Sequence, residues 1–84
     1  MPSVPQQFGI QVRSLRKERG WSQERLAAES GKHPTYIGGI ERGTRNPTIT
    51  VAAEIAHALG VPLARLFEVD DAPRVGNEAE RPCD

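Results

Sequence analysis

Residues 23–41 read QERLAAESGKHPTYIGGIE and predict two short helices joined by a sharp turn. Ala27 is small, as a residue at a close crossing of two helices must be. Gly31 marks the turn, because a positive φ angle is easy only for glycine. Ile37 and Ile40 lie three residues apart and predict the face of the second helix that packs on the first. The two helices are therefore expected to cross at a fixed angle.

The rest of the chain extends this helix pair into a compact all-α fold. Apolar residues recur every three or four positions, and glycine or proline interrupts them, which is typical of short helices. Pro34 suits a first helical position, where its missing N–H would have no partner. Five helices are expected: residues 8–19, the pair at 23–30 and from Pro34 to Gly43, residues 49–59, and a short fifth helix with Leu63, Leu66 and Phe67.

Composition limits the classes of function that this chain can have. The 84 residues are enough for one domain, which we place at residues 8–69, between a flexible segment 1–7 and a flexible acidic tail 70–84. Cys83 is the single cysteine, so a disulfide framework is excluded, and His33 and His57 have no partners at zinc-ligand spacing. No catalytic arrangement, cofactor motif, small-molecule site or membrane span is visible, so we expect a cytoplasmic protein that is not an enzyme.

The formal net charge of zero conceals an uneven distribution of charge. From Asp70 onward the chain has five acidic and two basic residues, which leaves a net charge of +3 for residues 1–69. A mildly basic domain is compatible with binding to nucleic acid. The tail either serves as a solvated end or shields the surface that would bind nucleic acid.

Three stretches resemble the lambda-repressor and Cro family, also called the xenobiotic-response-element family of helix-turn-helix regulators. They are RKERGWSQERLA at residues 16–27, YIGGIERGTRNPTI at residues 36–49 and IAHALGV at residues 55–61. The resemblance covers about residues 8–69. The size of the chain and the stretch of residues 35–47 are also similar to the controller proteins of restriction-modification systems. The expected fold is thus a lambda-repressor-like DNA-binding domain, whose second motif helix enters the major groove of double-stranded DNA.

The resemblance implies which residues touch DNA. Gln23 is expected to bond a phosphate, which an amide donor at a helix N-terminus also suits physically, unless it only supports the Ser22 cap. His33 either caps the second motif helix or contacts phosphate. Tyr36 reaches a base or a phosphate, or packs on its own domain. The expected phosphate contacts are Ser22, Gln23, Lys32, His33 and Arg42, and the expected base contacts are Pro34, Thr35, Tyr36, Gly38, Gly39, Arg45 and Asn46.

Gly38 and Gly39 depart from the family pattern, which often has Gln, Ser or Asn at these positions. Each glycine costs about 1 kcal/mol relative to alanine within a helix, so the pair suggests a close approach of the backbone to DNA or to a neighbouring element. Direct base contacts are then few. We expect DNA shape, together with Arg45 and Asn46, to supply much of the specificity.

Three further roles follow from the resemblance. Arg16 and Glu41 are expected to form a partly buried ion pair that ties the first helix to the second motif helix. Trp21 is expected to plug the core. The apolar end of the chain, Leu63, Leu66 and Phe67, is expected to form a two-fold interface, so that a homodimer binds a pseudo-palindromic operator. The alternative function is an antitoxin or adaptor that binds a partner protein, with DNA binding secondary.

Overall fold

The computed structural model describes residues 3–68, and that range is helical without strands. Its elements are α1 (Val4–Glu18), α2 (Gln23–Ser30), α3 (Pro34–Arg42), α4 (Ile49–Leu59) and a 3-10 helix (Leu63–Phe67). The all-α prediction is confirmed, but the count of five α-helices is wrong. The last element is a short 3-10 helix, in which Arg65 N–H donates to the carbonyl of Pro62 at 3.0 Å.

The predicted start of the first helix is also wrong, because α1 begins at Val4 rather than at Phe8. Ser3 caps it: the Ser3 hydroxyl accepts from Gln6 N–H at 3.3 Å, and the Gln6 side chain accepts from Ser3 N–H at 2.9 Å. Pro5 lies in the first turn, where its lack of an N–H is harmless. The flexible segment predicted for residues 1–7 is therefore replaced by helix from Val4, and the predicted tail 70–84 lies outside the described residues.

A glycine with a positive φ angle lies at the end of each of the four α-helices, as the sequence predicts. Gly31 follows α2 with φ of 70°, and Gly43 follows α3 with φ of 79°. Both angles lie in the left-handed region that favours glycine. Gly43 also lies against α1, since a Cβ there would be 2.6 Å from Cγ of Gln6. The first turn of α1 thus supports the chain reversal after α3.

One apolar core joins all the elements. Its largest fully buried side chains are Phe8, Val12, Leu26, Ile37, Ile40, Ile55, Leu59 and Leu66. The predicted burial of Ala27, Ile37 and Ile40 is confirmed. Within this core α1 meets α3 backbone to backbone, because a Cβ on Gly9 would lie 2.2 Å from the carbonyl oxygen of Ile40. Gly9 therefore allows a close contact between α1 and α3.

The expected interface residues at the apolar end divide into two groups. Leu66 is fully buried in the core of its own chain, so its expected contact with a second copy is wrong. Phe67 packs on Phe8 with ring centroids 5.2 Å apart and remains 46% exposed. Leu63 is half-buried. Only Phe67 and Leu63 retain surface that another molecule can reach.

Two structural features are absent from residues 3–68. None of their helices combines the length and apolar character that crossing a membrane requires. Within the same residues, no three His, Cys, Asp or Glu side chains come together as metal ligands would.

Candidate nucleic-acid interface

A buried ion pair fixes α3 to α1. Arg16 donates from Nε to one Glu41 oxygen at 2.7 Å and from Nη2 to the other at 3.0 Å. The two side chains are only 10% and 4% exposed. Arg16 Nη1 donates to the carbonyl of Trp21 at 2.7 Å, and Gln23 Nε2 donates to Glu41 at 3.1 Å. These bonds link α1, the loop before α2, α2 and α3 in one network.

The network also stabilises the charged form of Arg16. The hydrogen bonds that Arg16 donates to the Glu41 carboxylate hold the pKa of Arg16 above its ordinary value, although burial acts in the opposite direction. A bidentate pair of this kind has the planar geometry that guanidinium and carboxylate groups share. Arg16 is therefore permanently charged and faces Glu41 rather than solvent.

Gln23 lies at the start of α2, between the ion pair and α3. Ser22 caps the helix by accepting from Arg25 N–H at 3.0 Å, so the Ser22 cap does not need Gln23. One amide hydrogen of Gln23 is used by Glu41, and the amide oxygen faces α3, where a Cβ on Gly38 would lie 3.5 Å away. The second amide hydrogen and the half-exposed position leave Gln23 able to donate to an anion at the helix N-terminus.

The start of α3 presents polar groups to solvent. His33 caps the helix, since its Nδ1 accepts from Thr35 N–H at 3.0 Å. In the neutral ring the proton then resides on Nε2, which can donate to an anion. Thr35 is exposed and Pro34 is half-buried. The cap and a possible phosphate contact at His33 are therefore compatible.

Tyr36 and Arg45 lie together beside α3. The Arg45 guanidinium is 5.7 Å from the centre of the Tyr36 ring, within the range of a cation–π interaction. Tyr36 is half-buried and packs partly against the core, whereas Arg45 and Asn46 are exposed. The two exposed side chains follow α3 and flank its outer surface.

Gly38 and Gly39 are buried, which corrects their expected role as base contacts. The side chains of Arg42 and Arg45 cover them: a Cβ would lie 3.2 Å from Arg42 Nη1 at Gly38 and 2.7 Å from Arg45 Cγ at Gly39. Of the two explanations open from sequence, approach to DNA or to a neighbouring element, the structure shows the second. The neighbours are arginine side chains.

Lys32 is engaged elsewhere. Its ammonium group forms an ion pair with Glu54 of α4, and only 21% of the Lys32 side chain is exposed. The pair ties the turn between α2 and α3 to α4. Lys32 would have to release Glu54 to contact a phosphate, so its expected phosphate contact stays a prediction, and Lys32 is not among the DNA contacts that we propose.

Two basic residues that sequence reasoning missed lie next to the network. Arg13, Lys17 and Arg42 line a cavity of about 230 Å³ together with Arg16, Gln23 and Glu41. Within residues 3–68, no ion pair involves Arg13, Lys17 or Arg42. The spacing of Arg13 and Lys17, four residues apart on one face of α1, was the signal that could have indicated them. A cluster of three cations thus borders the start of α2.

Trp21 lies in the loop before α2. The guanidinium groups of Arg19 and Arg25 are 5.7 Å and 4.8 Å from its ring centre. The ring is half-buried and packs against the core. Trp21 is therefore a packing residue with two cationic neighbours.

Comparisons with known proteins agree with this architecture. The HTH-type transcriptional regulator y4dJ of Sinorhizobium fredii is 40% identical over 68 residues, which are 81% of this chain and 88% of that protein. Control protein C.BamHI of Bacillus amyloliquefaciens is 49% identical over 55 residues, 64% of this chain and 68% of that protein. The crystal structure of the restriction-modification controller protein C.AhdI from Aeromonas hydrophila is similar with a TM-score of 0.73 and 41% identity, covering 75% of this chain and 96% of that one.

The family match covers most of the fold described above. It extends over residues 12–66, from the second half of α1 to the 3-10 helix, and so includes the helix pair α2 and α3 with the ion pair that holds it. The chain belongs to the helix-turn-helix family.

Proposed function

We propose that this protein is a transcriptional regulator that binds double-stranded DNA with α3 in the major groove. One observation carries the proposal. The buried Arg16–Glu41 pair fixes α3 at its C-terminal end, while Thr35 at its other end is exposed. A helix that is anchored at its C-terminal end and exposed at its first residues can insert those residues into the major groove.

The charged groups around α3 support contacts with the DNA backbone. Residues 3–68 have nine basic and six acidic residues, a net charge of +3. The proposed phosphate contacts are Ser22, Gln23, His33 and Arg42, joined by Arg13 and Lys17 at the cavity. The proposed base contacts are Thr35, Tyr36, Arg45 and Asn46, with Pro34 beside them. Backbone contacts set the position of α3, and contacts to base edges supply sequence preference.

We propose that the protein binds as a homodimer through the apolar end of the domain. The exposed part of Phe67 and the half-buried Leu63 are the candidate contacts. In a two-fold dimer the two α3 helices would be one DNA turn apart, about 34 Å. The operator is then a pseudo-palindrome.

The regulated genes are proposed from the relatives. Two of the similar proteins are named control proteins, and C.AhdI is a restriction-modification controller that this chain covers almost completely. We place the operator of this protein in the promoter region of a restriction-modification system. The similar proteins named above are a transcriptional regulator and two control proteins, which favours a regulator over an antitoxin or adaptor.

Selection of bound sites from random duplex DNA, read beside the mass of the protein in solution, tests the function. The expected result is an inverted repeat with half-sites one turn apart and a mass of two chains. Failure to enrich any duplex at low ionic strength would contradict DNA binding. A monomer that enriches a single half-site would contradict the dimer alone.

Thr35→Ala is expected to weaken binding to the selected operator by about 1 to 3 kcal/mol and to relax the preference at one base pair. The Thr35 hydroxyl and methyl groups are exposed at the start of α3, where they can reach a base edge. Fluorescence anisotropy with the operator and with random duplex measures both effects. Thr50→Ala, on the exposed surface of α4, is the matched control. An equal loss on both duplexes would contradict a base contact.

Replacing both Arg13 and Lys17 with glutamine is expected to weaken binding to all duplexes alike. Each lost phosphate contact lowers the slope of log K against log salt by about 0.9, so the double variant should lose about 2. Arg19→Gln, at the same end of α1 but beside Trp21, should leave the slope unchanged in these titrations. An unchanged slope in the double variant would exclude the cavity from the interface.

A further inference from the structure

Gly38 and Gly39 occupy the middle of α3, where two glycines destabilise a helix relative to two alanines. Their neighbours differ in a way that matters. A Cβ on Gly38 would meet Nη1, at the tip of the Arg42 side chain, at 3.2 Å. A Cβ on Gly39 would meet Cγ, near the base of the Arg45 side chain, at 2.7 Å. Arg42 Nη1 can move aside by a small rotation at the end of its side chain. Arg45 Cγ cannot, because it lies next to the backbone.

The turn after α3 explains why Arg45 cannot move away. Gly43 N–H donates to the carbonyl of Ile40 at 3.0 Å. The carbonyl of Gly39 accepts twice from Thr44, from its N–H at 3.0 Å and from its hydroxyl at 3.1 Å. These bonds close the helix end and hold Thr44 against Gly39. The backbone of Arg45 therefore begins beside Gly39.

From there the Arg45 side chain passes over the backbone of Gly39, which has no side chain to block it. A Cβ on Gly39 would also be 3.5 Å from Arg45 Nε, so the Arg45 side chain lies along α3 at Gly39. The guanidinium ends 5.7 Å from the Tyr36 ring centre. Tyr36 and Gly39 are three residues apart and share one face of α3. We call the space bounded by Gly39, Thr44 and Tyr36, and filled by Arg45, the Gly39 slot.

We propose that the Gly39 slot aims Arg45 at the DNA, so that Gly39 is a positioning residue for sequence recognition. This inference rests on the DNA-binding function proposed above. An arginine guanidinium offers two parallel donors that match O6 and N7 of guanine. A side chain already held in one direction loses less freedom when it binds. The missing side chain at Gly39 thus contributes to recognition without touching a base.

Gly39→Ala tests the slot, with Gly38→Ala as the matched control. Both changes favour the helix and keep every charge, but only the first adds an atom against Arg45 Cγ. Gly39→Ala is expected to weaken binding to the selected operator about 10-fold and to broaden one base preference, as loss of a bidentate contact does. Binding to random duplex should change less than about 2-fold because backbone contacts are kept. Because Gly38 lies beside Arg42 and Gln23, which we propose as phosphate contacts, the two variants are compared by their preference for operator over random duplex. An equal loss of that preference in both variants would overturn the proposal.

The same pair of variants is then measured in an Arg45→Ala background. If Gly39 acts through Arg45, Gly39→Ala should cause no further loss there. A loss that persists without the arginine would show that the added methyl group disturbs α3 itself, and would overturn the slot.

Spectra of the free protein separate this inference from the proposed function. In the NMR spectrum the ring current of Tyr36 should alter the chemical shift of Arg45 Nε–H. Gly39→Ala should change this chemical shift, and Gly38→Ala should not. An unshifted resonance in Gly39→Ala would overturn the slot even if operator binding is normal. A shifted resonance in a protein that binds no duplex would overturn the DNA-binding function instead, and the role of the slot in recognition with it.

Discussion

Replacing Glu41 with alanine is expected to lower the free energy of unfolding by about 3 to 5 kcal/mol, because the guanidinium of Arg16 would stay buried without its counter-charge. The Glu41 carboxylate accepts two bonds from Arg16 and one from Gln23, and its side chain is 4% exposed. The loss is a large part of the total stability of so small a domain. Urea unfolding followed by Trp21 fluorescence measures it.

An exposed pair supplies the control for this change. Arg25 and Glu29 bond at 2.8 Å within α2, with 55% and 43% of their side chains exposed. Glu29→Ala should cost less than about 1 kcal/mol, as exposed pairs do. Removing both buried charges, with Arg16→Met and Glu41→Leu together, should cost less than Glu41→Ala alone, since no unpaired charge remains. Equal losses for Glu41→Ala and Glu29→Ala would contradict the structural role of the buried pair.

Gly9→Ala is expected to destabilise the fold by about 3 kcal/mol, the upper part of the range for overpacking. The new Cβ would lie 2.2 Å and 2.8 Å from the carbonyl oxygens of Ile40 and Glu41, so α1 and α3 would have to separate. This cost exceeds the gain of about 1 kcal/mol that alanine brings to a helix.

Thermal and urea unfolding of Gly9→Ala should be compared with that of Gly38→Ala. The second variant makes the same chemical change in a helix, yet its nearest neighbour is the tip of Arg42. We expect Gly38→Ala to be at least as stable as the parent protein. If Gly9→Ala unfolded at the same urea concentration as Gly38→Ala, the close contact of α1 with α3 would be refuted.

The fold could be predicted where its signals are local. The limits of α2, α3 and α4 follow from caps and glycines next to them, such as Ser22 and Gly31, and the structure confirms them. The sequence places the start of α1 too late, because residues 1–7 have two prolines and no helical periodicity of apolar residues. Ser3 and Gln6, three residues apart, carried the opposite signal, a capping box that permits proline in the first turn.

The candidate site was less predictable, because it depends on contacts between distant residues. Lys32 and Glu54 are 22 residues apart, and nothing near Lys32 reveals that α4 will hold it. Gly38 and Gly39 look alike in sequence, although they meet different arginines. The Arg16–Glu41 pair was expected from family resemblance, since the residues are 25 positions apart and periodicity alone does not join them.

The contact of Gln6 with Gly43 bears on how the protein can be shortened. A version starting at Phe8 would retain the apolar core and the pairing of Arg16 with Glu41. It would lose the packing of Gln6 against Gly43, in the turn that leads to Arg45 and Asn46. The first turn of α1 therefore supports the surface that we assign to DNA, although it need not contact a nucleotide.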